Sequence, residues 1–345
     1  MKRKIALLLA ALLLASGCGG LSKPEPTPEP TSTPEPTATA VPAWLEDMPF
    51  DLTWTECVYT GTYTGALYNG VPEGQGVFEG ADATGAALRW EGGWSAGEPA
   101  GAGELTADRL LTTVNDRPAA GRYAGTGESA APEGEGVFSS VSDQGVPWTY
   151  SGSWRGGLMD GQGTLRYEAE NYYTRGGTFT AGRWTPTWIE SLAAVGSCEP
   201  CFTLTDEQTA FLEAHPELWE EENHQNFLNT RYKKDINRSL IVRKCFSDPG
   251  SMDVPCWMSV SALRVVRSYV AELEDGTAMT CITAADSTYS FPVRVILPDR
   301  VDGLRRGQRF HVVAMPVCLS EYTTVLGEKQ TCLVMVAGDA YFGMN

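Results

Sequence analysis

Two cysteines flanking a glutamate and a proline, Cys198-Glu199-Pro200-Cys201, are the most chemically suggestive spacing in this 345-residue sequence. Thiols so placed can close a disulfide, exchange with another disulfide, or ligate a metal. Exchange near neutral pH needs a thiolate, which a helix N-terminus or a nearby cation stabilises. The next helix is expected to start only at Thr205, and no βαβ pattern surrounds the pair, so structural use is favoured over redox work. Cys245 and Cys256 are candidate disulfide partners for Cys198 and Cys201, with no pairing implied. The three histidines, His215, His224 and His311, fall in no metal-binding spacing. Phosphate-loop, dinucleotide and nucleophile-elbow sequences are missing too. No catalytic residue, metal or cofactor is therefore expected. The residues point to a binding protein, with a thiol oxidoreductase as the enzymatic alternative.

The ends of the chain set its address. Met1-Lys2-Arg3-Lys4 is basic, and Ile5 to Leu14 is an apolar run too short to span a bilayer. Together they read as a secretory signal peptide. Leu14-Ala15-Ser16-Gly17-Cys18 resembles the lipobox of bacterial lipoproteins, with Ala15 where that family more often carries leucine. The resemblance implies cleavage before Cys18, lipid on its thiol, and residence on the outer face of a bacterial cell membrane. A Pro/Glu/Thr-rich stretch over residues 19–43 cannot bury apolar area and favours polyproline II, which makes it a spacer. The formal charge is −17. Residues 1–18 hold three bases and no acids, so their loss takes the charge to −20. So acidic a chain is not built to bind nucleic acid or anionic lipid headgroups. Beyond Cys18 eight cysteines remain, an even number that in an exported protein favours disulfides, with roughly 105 possible pairings.

The first half repeats itself. Tyr63, Trp90, Tyr123 and Tyr150 align at spacings of 27, 33 and 27 residues. Each is followed two residues on by Gly65, Gly92, Gly125 or Gly152, and then by Gly70, Gly97, Ala130 or Gly157. A Gly-x-Gly pair follows in every unit, and Phe78, Leu105, Phe138 or Leu165 closes it. The period of two suits short strands, and Asn69-Gly70 is a hairpin turn signal. Each unit is a β-hairpin that needs neighbours to bury its rings. The run Tyr150-Ser151-Gly152-Ser153-Trp154-Arg155-Gly156-Gly157-Leu158-Met159-Asp160-Gly161-Gln162-Gly163 resembles the MORN repeat in full, and the Trp90 unit does so as well. The Tyr63 unit has Leu67 for the second aromatic. The Tyr123 unit departs furthest, with Gly127 there and Ala130 for a glycine. Gly177, Phe179 and Gly182 resemble a truncated fifth unit, with Trp184 and Trp188 as an end cap. Extended loops are expected around residues 106–122 and 141–147. The resemblance implies a scaffold for protein association. Its aromatic face, Tyr63, Trp90, Trp94, Tyr123, Tyr150 and Trp154, is then the expected contact surface for an envelope protein or a cell-wall glycan, unless the rings pack against each other.

Past residue 200 the pattern changes. Thr205 can cap a helix whose apolar positions are Phe211, Leu212, His215, Leu218 and Trp219. A basic cluster follows at Arg231, Lys233, Lys234, Arg238, Arg243 and Lys244. Five strand-like runs lie at 259–273, 277–284, 290–297, 309–316 and 332–337, an order that fits a small barrel. Leu304 to Val313 loosely resembles the entry to a late strand in OB-fold domains. The expected architecture is mainly β: signal peptide 1–18, spacer 19–43, a MORN-like array of stacked hairpins over 44–190, a helical connection over 191–250, and an OB-like β-barrel over 251–345.

Overall fold

The computed structural model describes residues 43–170, 172–216, 236–285, 290–324 and 326–343. The expected signal peptide, Cys18 and the spacer up to residue 42 lie outside them. So do Leu218, Trp219, His224, the bases Arg231, Lys233 and Lys234, and the turn at Asp286-Ser287. The described residues form one compact unit.

The chain is mainly β. Strand β1 (Ala43–Trp54) leads into the hairpins β2 (Cys57–Tyr68) with β3 (Val71–Ala81), and β4 (Ala87–Ser95) with β5 (Glu98–Val114). Next come β6 (Arg117–Glu128) with β7 (Ala131–Val141), and β8 (Pro147–Arg155) with β9 (Leu158–Tyr167). The short pair β10 (Arg175–Thr180) and β11 (Arg183–Trp184) ends the series. All eleven strands join one antiparallel sheet in sequence order.

Register explains the repeat. Tyr63 lies opposite Phe78, Phe78 opposite Trp90, and Trp90 opposite Leu105. Tyr123, Phe138, Tyr150 and Leu165 form a second such row. Between β5 and β6 the row steps by two residues, because Ala107 and not Leu105 faces Tyr123. Beside the rings run rows of glycine: Gly65, Gly76, Gly92 and Gly103, then Gly125, Gly136, Gly152 and Gly163. The rings lie down on these glycines. A Cβ on Gly76, Gly136 or Gly163 would sit 2.3 Å from the hydroxyl of Tyr63, Tyr123 or Tyr150.

The hairpin turns are equally regular. Both central residues take positive φ at Asn69/Gly70, Ala96/Gly97, Ser129/Ala130, Gly156/Gly157 and Ala181/Gly182, the mirror-image turn that matches strand twist. Consecutive turns are stitched together by backbone bonds from Gly97 N to Pro72 O (3.0 Å), Ser129 N to Gly101 O (2.8 Å), Gly157 N to Pro132 O (3.0 Å) and Gly182 N to Met159 O (2.8 Å). Acids add a second stitch, as Ala96 N donates to Glu73 (2.8 Å) and Gly156 N to Glu133 (2.8 Å).

Two expectations need correction. Residues 106–122 form no loop. They prolong β5 and β6 into a longer hairpin, which accounts for the 33-residue spacing. Its tip, Asn115-Asp116, reaches β10–β11, where Asn115 N bonds Gly182 O (2.9 Å) and Arg183 Nε bonds Asp116 (2.9 Å). Residues 142–145 make only a tight turn. The missed β1 adds Phe50 against Tyr63, Phe78 and Trp94, and its Trp54 Nε1 donates to Ala130 O at 2.8 Å.

Helix α1 (Trp188–Gly196) opens on a reciprocal cap between Thr187 and Glu190. Helix α2 (Asp206–Glu213) opens on Thr205 as expected, with Gln208 as the reciprocal partner, and ends before the expected helical position His215. After α3 (Val242–Ser247) the chain enters β12 (Met258–Glu272), β13 (Ala278–Ala285), β14 (Pro292–Leu297), β15 (Arg309–Thr323) and β16 (Lys329–Phe342). These close a five-stranded barrel in the order β12-β13-β14-β16-β15, with β14 and β16 parallel. The last two strands outrun the expected 309–316 and 332–337 because they pair with each other from Phe310–Phe342 to Thr323–Lys329.

Array and barrel share a seam. Glu274, in the turn between β12 and β13, accepts from Arg175 Nη2 (2.9 Å) and from Asn115 Nδ2. Buried Gln208 of α2 donates to Val317 O of β15 at 2.9 Å.

Candidate functional site

The first candidate surface is the row of rings. Each leading ring reaches over its own glycine to a carbonyl three residues on: Tyr63 Oη to Ala66 O (2.8 Å), Trp90 Nε1 to Gly93 O (3.1 Å), Tyr123 Oη to Thr126 O (2.7 Å) and Tyr150 Oη to Ser153 O (2.9 Å). These acceptors are the residues skipped where the register shifts. A bulge leaves its extra residue without a partner in that strand pair, and the ring's polar atom donates to that residue's carbonyl. The second aromatics do the same across strands, with Trp94 Nε1 bonding Gly76 O (3.1 Å) and Trp154 Nε1 bonding Gly136 O (3.3 Å). Residues 63–84, 90–108 and 150–169 match the MORN repeat model. The Tyr123 unit, with Gly127 and Ala130 in place of ring and glycine, lies outside the matched segments while keeping the MORN hairpin geometry. No match to the chain is found among curated proteins.

The expectation of an exposed aromatic face is corrected. Tyr63, Trp90, Tyr123 and Tyr150 are 0% exposed, and Trp94 and Trp154 are 2% exposed. Edge-to-face contacts bind them together, Tyr63 with Trp94 at 4.9 Å and Tyr123 with Trp154 at 5.1 Å. These rings form the core of the MORN array and leave no flat row on which a sugar could stack. The opposite face carries charge: Glu79, Glu91 and Glu104 are exposed around Arg89, which bonds Glu79 (2.8 Å) and Glu91 (2.5 Å), while Leu111 and Val137 are exposed apolar side chains of the same sheet. Glu91 stands directly opposite Glu104, a like-charge pair that costs stability.

The second candidate was the thiols. All eight described cysteines are free, so the proposed disulfides among Cys198, Cys201, Cys245 and Cys256 are not formed in this structure. Cys198 follows the C-terminal end of α1, its N–H bonded to Val195 O, where a helix disfavours a thiolate. Burial pushes its thiol up. Cys201 is exposed. Cys198 thus sits at the end of a helix that does not favour its thiolate. His215 is tied to Phe211 O through Nδ1 (2.7 Å) and to Trp257 Nε1 through Nε2 (3.4 Å), so it takes part in packing. His311 lies beside the Tyr341 ring.

The third candidate was not anticipated. A cleft of about 540 Å³ opens between the connection and the barrel. Tyr173, Cys198, Glu199 and Pro200 form one side. Val266, Arg267 and Tyr269 of β12, Thr283 of β13, Arg294 of β14, Tyr322 and Thr323 of β15 and Cys332 of β16 form the other. Arg294 is 9% exposed, donates to Thr283 Oγ1 (2.9 Å) and Glu199 O (3.4 Å), and lies 5.3 Å over the Tyr269 ring. Burial pushes the phenol of Tyr173 up to about 12, and those of Tyr269 and Tyr322 up as well. Arg267 and Glu199 are exposed. The missed signal was a single arginine inside the apolar run Val293-Arg294-Val295-Ile296-Leu297.

Proposed function

We propose that this chain is a lipid-anchored extracytoplasmic binding module that works through protein–protein contacts in the cell envelope. The lipobox-like Leu14–Cys18 segment supports the anchor, and the acidic proline-rich stretch supports a spacer between membrane and folded unit. The observation that carries the contact role is the two-sidedness of the MORN sheet. One face is consumed by its own rings, while the other offers exposed glutamates on a backbone stitched at every turn. A pre-stiffened surface loses little conformational freedom on docking, and its charge suits a basic or neutral protein partner. The barrel, with its parallel β14–β16 pair, supports an OB-like reading of the C-terminal part; fold alone assigns it no ligand.

Photo-crosslinking from exposed position 79, on the same face, in intact cells tests the role. A discrete crosslinked species, lost in the Glu91→Lys/Glu104→Lys variant, is the expected result. Crosslinks no different from those of an outer-membrane or wall protein chosen at random would overturn it.

A further inference from the structure

The Arg294 cleft has the makings of a ligand site separate from the MORN sheet. Arg294 is more than nine-tenths buried, yet both of its hydrogen-bond acceptors are uncharged, a threonine hydroxyl and a backbone carbonyl. They use two of its five donors. No carboxylate lies within 4.0 Å of it among the described residues. A buried cation without an anion is costly unless something returns the lost interaction. An anion entering the cleft would do so, and a guanidinium fork matches a carboxylate with two parallel hydrogen bonds. The other lining groups narrow the choice. Arg267 and Arg294 face one carboxylate, Glu199, so the cleft carries a single excess positive charge, suited to a monoanion. The tyrosines 173, 269 and 322 supply apolar walls with polar tips, fit for a ring or a short peptide. A volume of about 540 Å³ holds a molecule of that size.

We infer that this cleft binds a small monocarboxylate with a sugar-ring or peptide body, its carboxylate held by Arg294. The site shares no residue with the glutamates of the MORN face, so the two readings can be tested separately.

Calorimetric titration of the detergent-solubilised full chain tests this with four probes and a control: D-glucuronate against glucose, N-acetylalanine against N-acetylalanine amide, and inorganic phosphate. At least one acid should bind about tenfold more tightly than its neutral counterpart and than phosphate, and Arg294→Gln should weaken that acid by about tenfold. Failure of both acids to bind below about 10 mM, tighter phosphate binding, or full affinity in Arg294→Gln would overturn the inference. Should that variant fold poorly, the wild-type chain still decides. Modification of Arg294 by phenylglyoxal, read by mass spectrometry, should slow in the binding acid and not in its neutral counterpart. Equal rates would overturn the inference.

Discussion

Replacing Gly163 by alanine tests the physical basis of the array with a single methyl group. The new Cβ would lie 2.3 Å from Tyr150 Oη and 2.5 Å from Cε2 and Cζ of that ring. No atom there is the loose end of a flexible chain. Tyr150 is fully buried, its hydroxyl bonds Ser153 O, and its ring contacts Trp154 at 5.4 Å and Phe179 at 4.9 Å. The ring must therefore swing away. Overpacking of this kind costs about 1–3 kcal/mol. Loss of the hydrogen bond to the Ser153 carbonyl adds about 1 kcal/mol. The total is on the order of 2–4 kcal/mol. Gly176→Ala is the control, since its Cβ meets nothing nearer than Thr164 Oγ1 at 4.0 Å, and it should cost under about 0.5 kcal/mol. Urea denaturation followed by circular dichroism reads both. The decisive comparison adds Tyr150→Ala. With the ring gone, Gly163→Ala should become nearly neutral, leaving a coupling on the order of 2 kcal/mol in the cycle. An unchanged midpoint for Gly163→Ala, or strict additivity with Tyr150→Ala, would refute the ring-on-glycine account.

Other predictions address the seam, the thiols and the anchor. Glu274→Ala leaves Arg175, with its largely buried side chain, and the hairpin tip at Asn115 without their shared acceptor, and should destabilise by about 1–3 kcal/mol; a wild-type melting curve would show that the seam contributes nothing. Burial pushes the thiols of Cys245 and Cys332 up to about 11, so the folded chain holds these protons more tightly than the unfolded one. Their contribution to stability is full below about pH 8.5 and is lost as pH rises towards 11, so the urea midpoint should fall over that window and fall less in Cys245→Ser/Cys332→Ser. With a thiol reagent at pH 8, exposed Cys201 should react first and buried Cys245 and Cys332 only on unfolding; comparable rates would contradict the burial. Cys18→Ala should release the protein from membranes, and unchanged membrane partition would remove the lipid anchor from the proposal.

What the sequence made legible was periodic. The glycine-spaced rings gave the hairpins, their order and the shared rung, because side-chain alternation and mirror-image turns are written locally. Thr205 marked α2 for the same reason. Thr187-x-x-Glu190 carried an equivalent signal for α1 that went unread. So did Phe50, Leu52 and Trp54, whose period of two lies in β1, just ahead of the first aligned unit. Which way the rings face was not legible, since a row of aromatics reads alike whether it meets a ligand or its own glycines. The answer lies in contacts such as that of Tyr150 with Gly163. The Arg294 cleft was still less accessible. Its walls come from residues 173 to 332, and only closure of the barrel against the connection brings them together.

Trp54 carries a mechanical consequence. Were the proposed anchor to pull on the folded part, β1 would be its first strand to take the load; it pairs with β2 from Ala43–Leu67, with a register shift between Leu45 and Met48. At the far end the indole of Trp54 is latched to Ala130, 76 residues along the chain. Force that detached β1 from β2 would still meet this clasp at the last rung, Trp54–Cys57.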